Sequence, residues 1–338
     1  MRFLFLALLI ALPVGAATNA PPVTVDAQTE AVIQGALKYL ASKQAPNGSW
    51  SPQTRPIAMT GYTLMAFLAT GNLPNEGPFG KTTANGLRFL LDSVQPDGMF
   101  APSNDGQYMY GHGIATIAMA EIYGQTKSEM IKPKLEKLVK LIVSSQNAVG
   151  GWRYRPTSTD ADISVTVLQV VALRAARNAG LEVPETTIEK AVKYVRSCRN
   201  VNGDGFGYQA SSWGSGFAQT AAAIYSLQVC GEYNDPLVKV GSEYLLRHEA
   251  KDEKTWFTYG QFYACPAQYM IGGTKWEQWY KEVKKALLEH VVRDGESVRW
   301  EPAALDTGTT VWLGPLYCTA VYTTILAIPY NYIPLYQR

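Results

Sequence analysis

The stretch "LIVSSQNAVGGW", residues 141–152, closes an apolar helical pattern on a glutamine, passes through a glycine-containing link and stops at a tryptophan. Outward from it, the same order of features recurs in "FLLDSVQPDGMF" (89–100) and "YLASKQAPNGSW" (39–50), with Gln44, Gln95 and Gln146 evenly spaced. Weaker copies end at Phe206, Trp256 and Trp300, so an aromatic returns about every 50 residues. A period of that length signals stacked supersecondary units, and six of them fill the chain.

Each unit reads as two helices of different character. Ahead of the glutamine, Leu135, Leu138, Val139 and Ile142 form an i, i+3, i+4, i+7 stripe opposite Lys134, Lys137 and Lys140, the pattern of a helix covered on one face. After the aromatic come stretches apolar nearly all round, such as "IAMTGYTLMAFLATG" (57–71) and "SVTVLQVVALRAARNAG" (164–180), the pattern of helices buried on every side. Gly71, Gly124, Gly180 and Gly231 stand where left-handed helix stops are expected. Six hairpins of one-faced outer and all-round inner helices bury their apolar surface if they close into a ring. The expectation is an all-α protein, an α/α toroid whose inner helices line a cavity.

The chain opens with Arg2, an apolar run over residues 3–14, and small residues at Gly15 and Ala17. This predicts a cleaved signal peptide over 1–20, a single toroid domain over 21–338, and a secreted or periplasmic protein. Net charge is +2 among 338 residues, with Lys and Arg scattered rather than gathered, so nucleic-acid binding is disfavoured. Four cysteines, Cys198, Cys230, Cys265 and Cys318, lack C-x-x-C spacing, which argues against a zinc ribbon or dithiol motif; export leaves disulfides open.

The glutamine, glycine link and tryptophan at the end of an outer helix resemble the QW motif of the prenyltransferase and squalene-oxidase repeat, shared by terpenoid cyclases and protein prenyltransferase β-subunits. The resemblance covers about residues 28 to 338, strongest in the first three repeats. "MYGHGIATIAMAEIYG", "GGWRYRP" and "YIPLYQR" look closer to exported bacterial proteins with this repeat, whose activity is unassigned. The resemblance implies the toroid more firmly than any one function.

In such a ring every inner helix starts at the rim that carries the links, so residues near those starts converge on one mouth. The candidates there are Tyr108, Tyr110, His112, Asp160, Asp162, Trp213, Tyr263, Cys265, Tyr317 and Cys318, with Arg153 close by. Asp160, Ala161 and Asp162 match three positions of the Asp-x-Asp-Asp acid motif of class II terpene cyclases, and Ile163 stands at the fourth. The resemblance implies Asp162 as general acid, assisted by Asp160 and by His112 if that imidazole faces it. The competing reading is a helix cap, for which Thr159, Asp160, Asp162 and Ser164 are all suitable types. Tyr108, Tyr110, Trp213, Tyr263, Tyr317 and Arg153 are the expected ligand-binding side chains. The zinc chemistry of prenyltransferase β-subunits needs a spacing that Asp162, Cys265, Cys318 and His112 do not reproduce, so no metal or cofactor is expected.

Three functions follow. The first is binding, without turnover, of an isoprenoid-like hydrophobic molecule or a protein partner at the rim. The second is a terpene-cyclase-type enzyme using Asp162. The third is a toroid enzyme on an extracellular polysaccharide. Binding is preferred because a single ring leaves its mouth open to water, which would end carbocation chemistry early. The apolar ending "AVYTTILAIPYNYIPLY" (320–336) adds peripheral membrane contact as an option, against its role as the last inner helix.

Overall fold

The computed structural model describes residues 23–50, 55–248 and 254–337, so the expected signal peptide lies outside the described residues. Outer helices α1 (Ala27–Ser42), α3 (Gly80–Ser93), α5 (Lys132–Ser144), α7 (Glu185–Ser197), α9 (Pro236–Arg247) and α11 (Gly273–Glu289) alternate with inner helices. These are α2 (Pro56–Ala69), α4 (Tyr108–Thr126), α6 (Ile163–Asn178), α8 (Phe217–Val229), α10 (Phe257–Ile271) and α12 (Gly314–Ala327). Each inner helix packs on the next, and α12 returns to α2, which closes the ring. The fold is the expected α/α toroid. Burial follows the sequence pattern: α5 buries Leu135, Leu138, Val139 and Ile142, whereas α2 buries every residue from Ile57 to Ala69.

The repeated residues are the fasteners of the ring. Trp50, Trp152 and Trp300 each donate the indole N–H to a carbonyl near the end of the preceding outer helix, those of Leu40, Ile142 and Leu287, at 2.7–2.8 Å. Their backbone N–H groups donate to Thr60, Thr166 and Thr319 hydroxyls of the following inner helix, as Phe206 does to Thr220. One large ring thus joins both helices of a repeat, each bond adding about 1 kcal/mol net beyond the apolar burial. Gln44 and Gln146 reach the next repeat, donating to the carbonyls of Thr82 and Thr187. Gly48, Gly98 and Gly150 have φ between +84° and +93°, and a Cβ there would strike the carbonyl oxygen of Asn85, Lys137 or Lys190 in the next outer helix. The link glycine is required twice over, by its dihedral and by the approach.

Several local expectations change. Gly124 is not a left-handed stop; α4 continues to Thr126 and Lys127 takes the left-handed cap. The sixth link contains a short hairpin, β1 (Val292–Asp294) against β2 (Ser297–Arg299), which packs on α1 where the first and last repeats meet. Lys284 and Asp26 add an ion pair at 2.9 Å across that closure. Past α12, the chain crosses the far end of the ring, where the 3-10 turn Pro334–Tyr336 packs against both α6 and α10 with Leu335 and Tyr336 buried. That segment caps the ring opposite the links, and the apolar stretch at 320–336 is accounted for by this packing.

Candidate functional site

The N-terminal turns of all six inner helices surround a cavity of about 310 Å³. Ala58, Met59 and Tyr62 come from α2, Tyr110 from α4, Ile163 and Ser164 from α6, Ala218, Gln219 and Ala222 from α8, Tyr259 from α10 and Tyr317 from α12. The links add Arg55, Gln107, Tyr154, Tyr208, Trp256, Trp312 and Leu313. The walls are mainly aromatic with a few polar groups, the composition of a small-molecule site. Among the described lining residues, Arg55 carries the only formal charge. It lies 3.3 Å from Asp105, with its guanidinium 4.9 Å from the Trp312 ring centre.

Asp162 lies behind this wall, with no exposed surface. It is the N-cap of α6: Oδ1 accepts from the Val165 amide at 2.8 Å and from Ser164 Oγ at 2.6 Å, while Oδ2 accepts from the Tyr208 hydroxyl at 2.9 Å. Arg153 Nε lies 2.9 Å from Oδ2 as an ion-pair contact without hydrogen-bond alignment. Burial pushes the Asp162 carboxyl above its usual range, opposed by Ser164, Val165, Tyr208 and Arg153, all of which favour the ionised form. A guanidinium and three donors thus surround the group, an environment that favours the carboxylate form against burial.

Two hydrogen-bonded arms run from Asp162 to the cavity. One passes through Ser164 to the Tyr110 hydroxyl, 2.6 Å from Ser164 Oγ. The other passes through Tyr208 to the Tyr154 hydroxyl, 2.6 Å away. Burial and then the charge of Asp162 hold the Tyr110 and Tyr208 phenols protonated far above the ordinary range. Arg153 lies under the same wall, its guanidinium 4.7 Å from the Tyr154 ring centre and 5.7 Å from that of Tyr208.

The other expected site residues divide. Tyr110 and Tyr317 line the cavity; Arg153 supports its wall without lining it. Asp160 is an exposed ion-pair partner of Arg153, outside the cavity. His112 does not meet Asp162. It is fully buried between α4 and α5, with Nδ1 3.1 Å from the Tyr108 hydroxyl and Nε2 3.2 Å from the Leu138 carbonyl. Burial lowers its pKa to about 4, so it is a neutral core imidazole. Its flanking glycines serve helix packing: a Cβ on Gly113 would strike Leu168 of α6. Tyr108 accepts the Phe100 amide at 2.6 Å and supports His112 rather than a ligand. Trp213 points to solvent, 91% exposed. Tyr263 lies two turns inside α10, fully buried against Tyr259 and Phe262 and off the cavity lining. Cys265 and Cys318 are buried free thiols, and no cluster of three metal-ligating side chains occurs among the described residues.

Tyr154, Tyr208, Tyr259, Trp312 and Arg55 line the cavity without having been expected there, as do Trp256, expected only as a repeat aromatic, and Ser164, expected only as a cap. A signal for two of them was present: Tyr154 and Tyr208 each stand two places past the repeat aromatic, after Trp152 and Phe206.

Residues 29–205, just over half of the chain, match the family model described as "Domain of unknown function (DUF6288)". No curated protein matches the sequence. Solved structures match across 90% of the chain at low identity. The α-1,6-mannanase GH76A of Salegentibacter sp. HEL1_6 has TM-score 0.66, 9% identity and 99% of its own chain covered. Cellobiose 2-epimerase from Bacillus thermoamylovorans has TM-score 0.66, 13% identity and 97% covered. The type II terpene cyclase MstE from Scytonema has TM-score 0.57, 13% identity and 99% covered. At these identities the shared property is the toroid, so the likeness to terpenoid cyclases stands at the level of the fold.

Proposed function

We propose that this chain, which belongs to the family described as Domain of unknown function (DUF6288), binds a small molecule in the central cavity of its toroid without acid–base turnover. The observation that carries this reading is the sealing of Asp162. A general acid must touch the group it protonates and hold a proton to give; Asp162 has no exposed surface, four groups favouring its ionised form, and a phenol or a serine between it and the cavity. The described lining residues offer no carboxylate or imidazole in its place. Toroids of this shape include a mannanase, a sugar epimerase and a terpene cyclase, so the fold admits saccharides and isoprenoids alike. Export to the periplasm or medium fits the N-terminal pattern; the mass of the purified mature chain tests it.

A second reading draws on the arm through Tyr208 and Tyr154, with steps of 2.9 and 2.6 Å, which is a route for a proton from the cavity to the Asp162 carboxylate. Tyr154 would then touch the ligand and relay its proton inward, with Asp162 the base that receives it. The two readings separate when ligands bound by the purified protein are recovered and analysed. Recovery unchanged, with binding abolished by the cavity-filling Ala222→Trp or Ala218→Phe, supports binding. A converted product whose formation stops with Tyr154→Phe supports the enzyme.

A further inference from the structure

We infer that the cavity is built for a neutral, polyhydroxylated ring, a saccharide, rather than for an isoprenoid. The inference rests on the binding reading above and follows from the direction of the hydrogen bonds. Because the Asp162 carboxylate only accepts, Ser164 and Tyr208 must each give it their single proton. Tyr110 must then donate to Ser164, and Tyr154 to Tyr208. Tyr259 likewise commits its proton, to the Ser164 carbonyl at 2.6 Å. Three lining phenols therefore retain only lone pairs for a ligand. This part of the wall is a set of acceptors mounted on aromatic faces.

A ligand with hydroxyl donors and flat C–H faces satisfies both features. An isoprenoid chain supplies no donors, and it would strip the water from the lone pairs of these phenols without replacing it. At about 310 Å³ the space is at the small end of ligand pockets, which suits one ring in the cavity with any further units at the mouth.

The test is saturation-transfer NMR on the full mature chain with cellobiose, maltose, methyl α-mannoside, geranylgeraniol and choline as separate probes. The inference expects saturable transfer to at least one sugar and an affinity loss of about tenfold in Tyr154→Phe, with a similar loss in Tyr110→Phe. Both variants keep the ring and should melt near the parent, which separates lost binding from lost folding. Saturable binding of geranylgeraniol or choline with no sugar response overturns the saccharide assignment and leaves the binding reading standing. Sugar binding unaltered by both phenylalanine variants and by Ala218→Phe overturns the assignment of the site. No saturable response from any probe overturns the saccharide inference, and if the purified chain also carries no ligand the binding reading falls with it.

Discussion

Two of the buried carboxyl groups, Asp162 at the open end and Glu121 at the capped end, are held in opposite ways. Asp162 faces Arg153, two hydroxyls and an amide, all of which favour its ionised form. Glu121 lies three turns further along the inner layer, and its Oε2 has no hydrogen-bond partner. Burial raises its pKa to about 8, only partly countered by the Leu335 amide of the capping segment. The difference teaches that burial alone does not make an acid useful. The acid near the cavity is ringed by partners that favour loss of its proton, and the acid that keeps its proton lies at the other end of the ring, beside Leu335 in the capping segment.

The largest effect should come from breaking the partnership at the open end. Arg153→Met leaves a buried carboxylate without its cation, and urea unfolding should show a loss of about 3 kcal/mol. Adding Asp162→Asn should recover part of it, since the two changes share one interaction. Recovery absent would mean that Arg153 acts by packing on Tyr154 and Tyr208 instead.

The next effect concerns pH. Glu121 is raised from 4.5 to about 8, so between those values the folded state holds more protons than the unfolded chain and stability falls as pH rises. Glu121→Gln should flatten that slope and stabilise the protein near pH 8 by a few kcal/mol. His112 has the opposite sign: lowered from 6.5 to about 4, it contributes stability that is lost as pH falls through that window. His112→Gln should shrink the acid limb of a pH–melting profile while leaving ligand affinity unchanged. A change in affinity would return His112 to the site. The smallest effects belong to residues that sequence reasoning placed at the mouth and the structure places in solvent. Asp160→Asn and Trp213→Ala should each stay within about 0.5 kcal/mol in unfolding and leave binding intact.

The ring was legible in the sequence because its fasteners recur. Glutamine, glycine and tryptophan sit at fixed register since each meets equivalent partners in the repeats that carry the contact, from the Leu40 carbonyl through that of Ile142 to that of Leu287. The site was legible only in part, because a cavity wall is composed of one residue from each of many repeats, with no motif of its own. Tyr110 and Tyr317 were found by position at the rim. Trp256 was read as another fastener, yet it lines the cavity: α10 begins directly after it, and the residue holds a left-handed φ of 63° at the mouth. In the third repeat, residues 153–162 separate Trp152 from α6 and allow the indole to sink beneath the rim. Asp162 was read as a cap in a cavity-lining position; it is the cap of α6 but stands behind the lining, and the sequence does not show Tyr208, 46 residues on, closing over it.

The most direct test of the account is the protonation state of Asp162 in the intact protein, read from side-chain carboxyl ¹³C resonances of the parent and of Asp162→Asn. The resonance absent from the variant should sit at a carboxylate position at pH 7 and stay there when the cavity is filled. A protonated carboxyl at pH 7 would contradict the account and restore Asp162 as an acid.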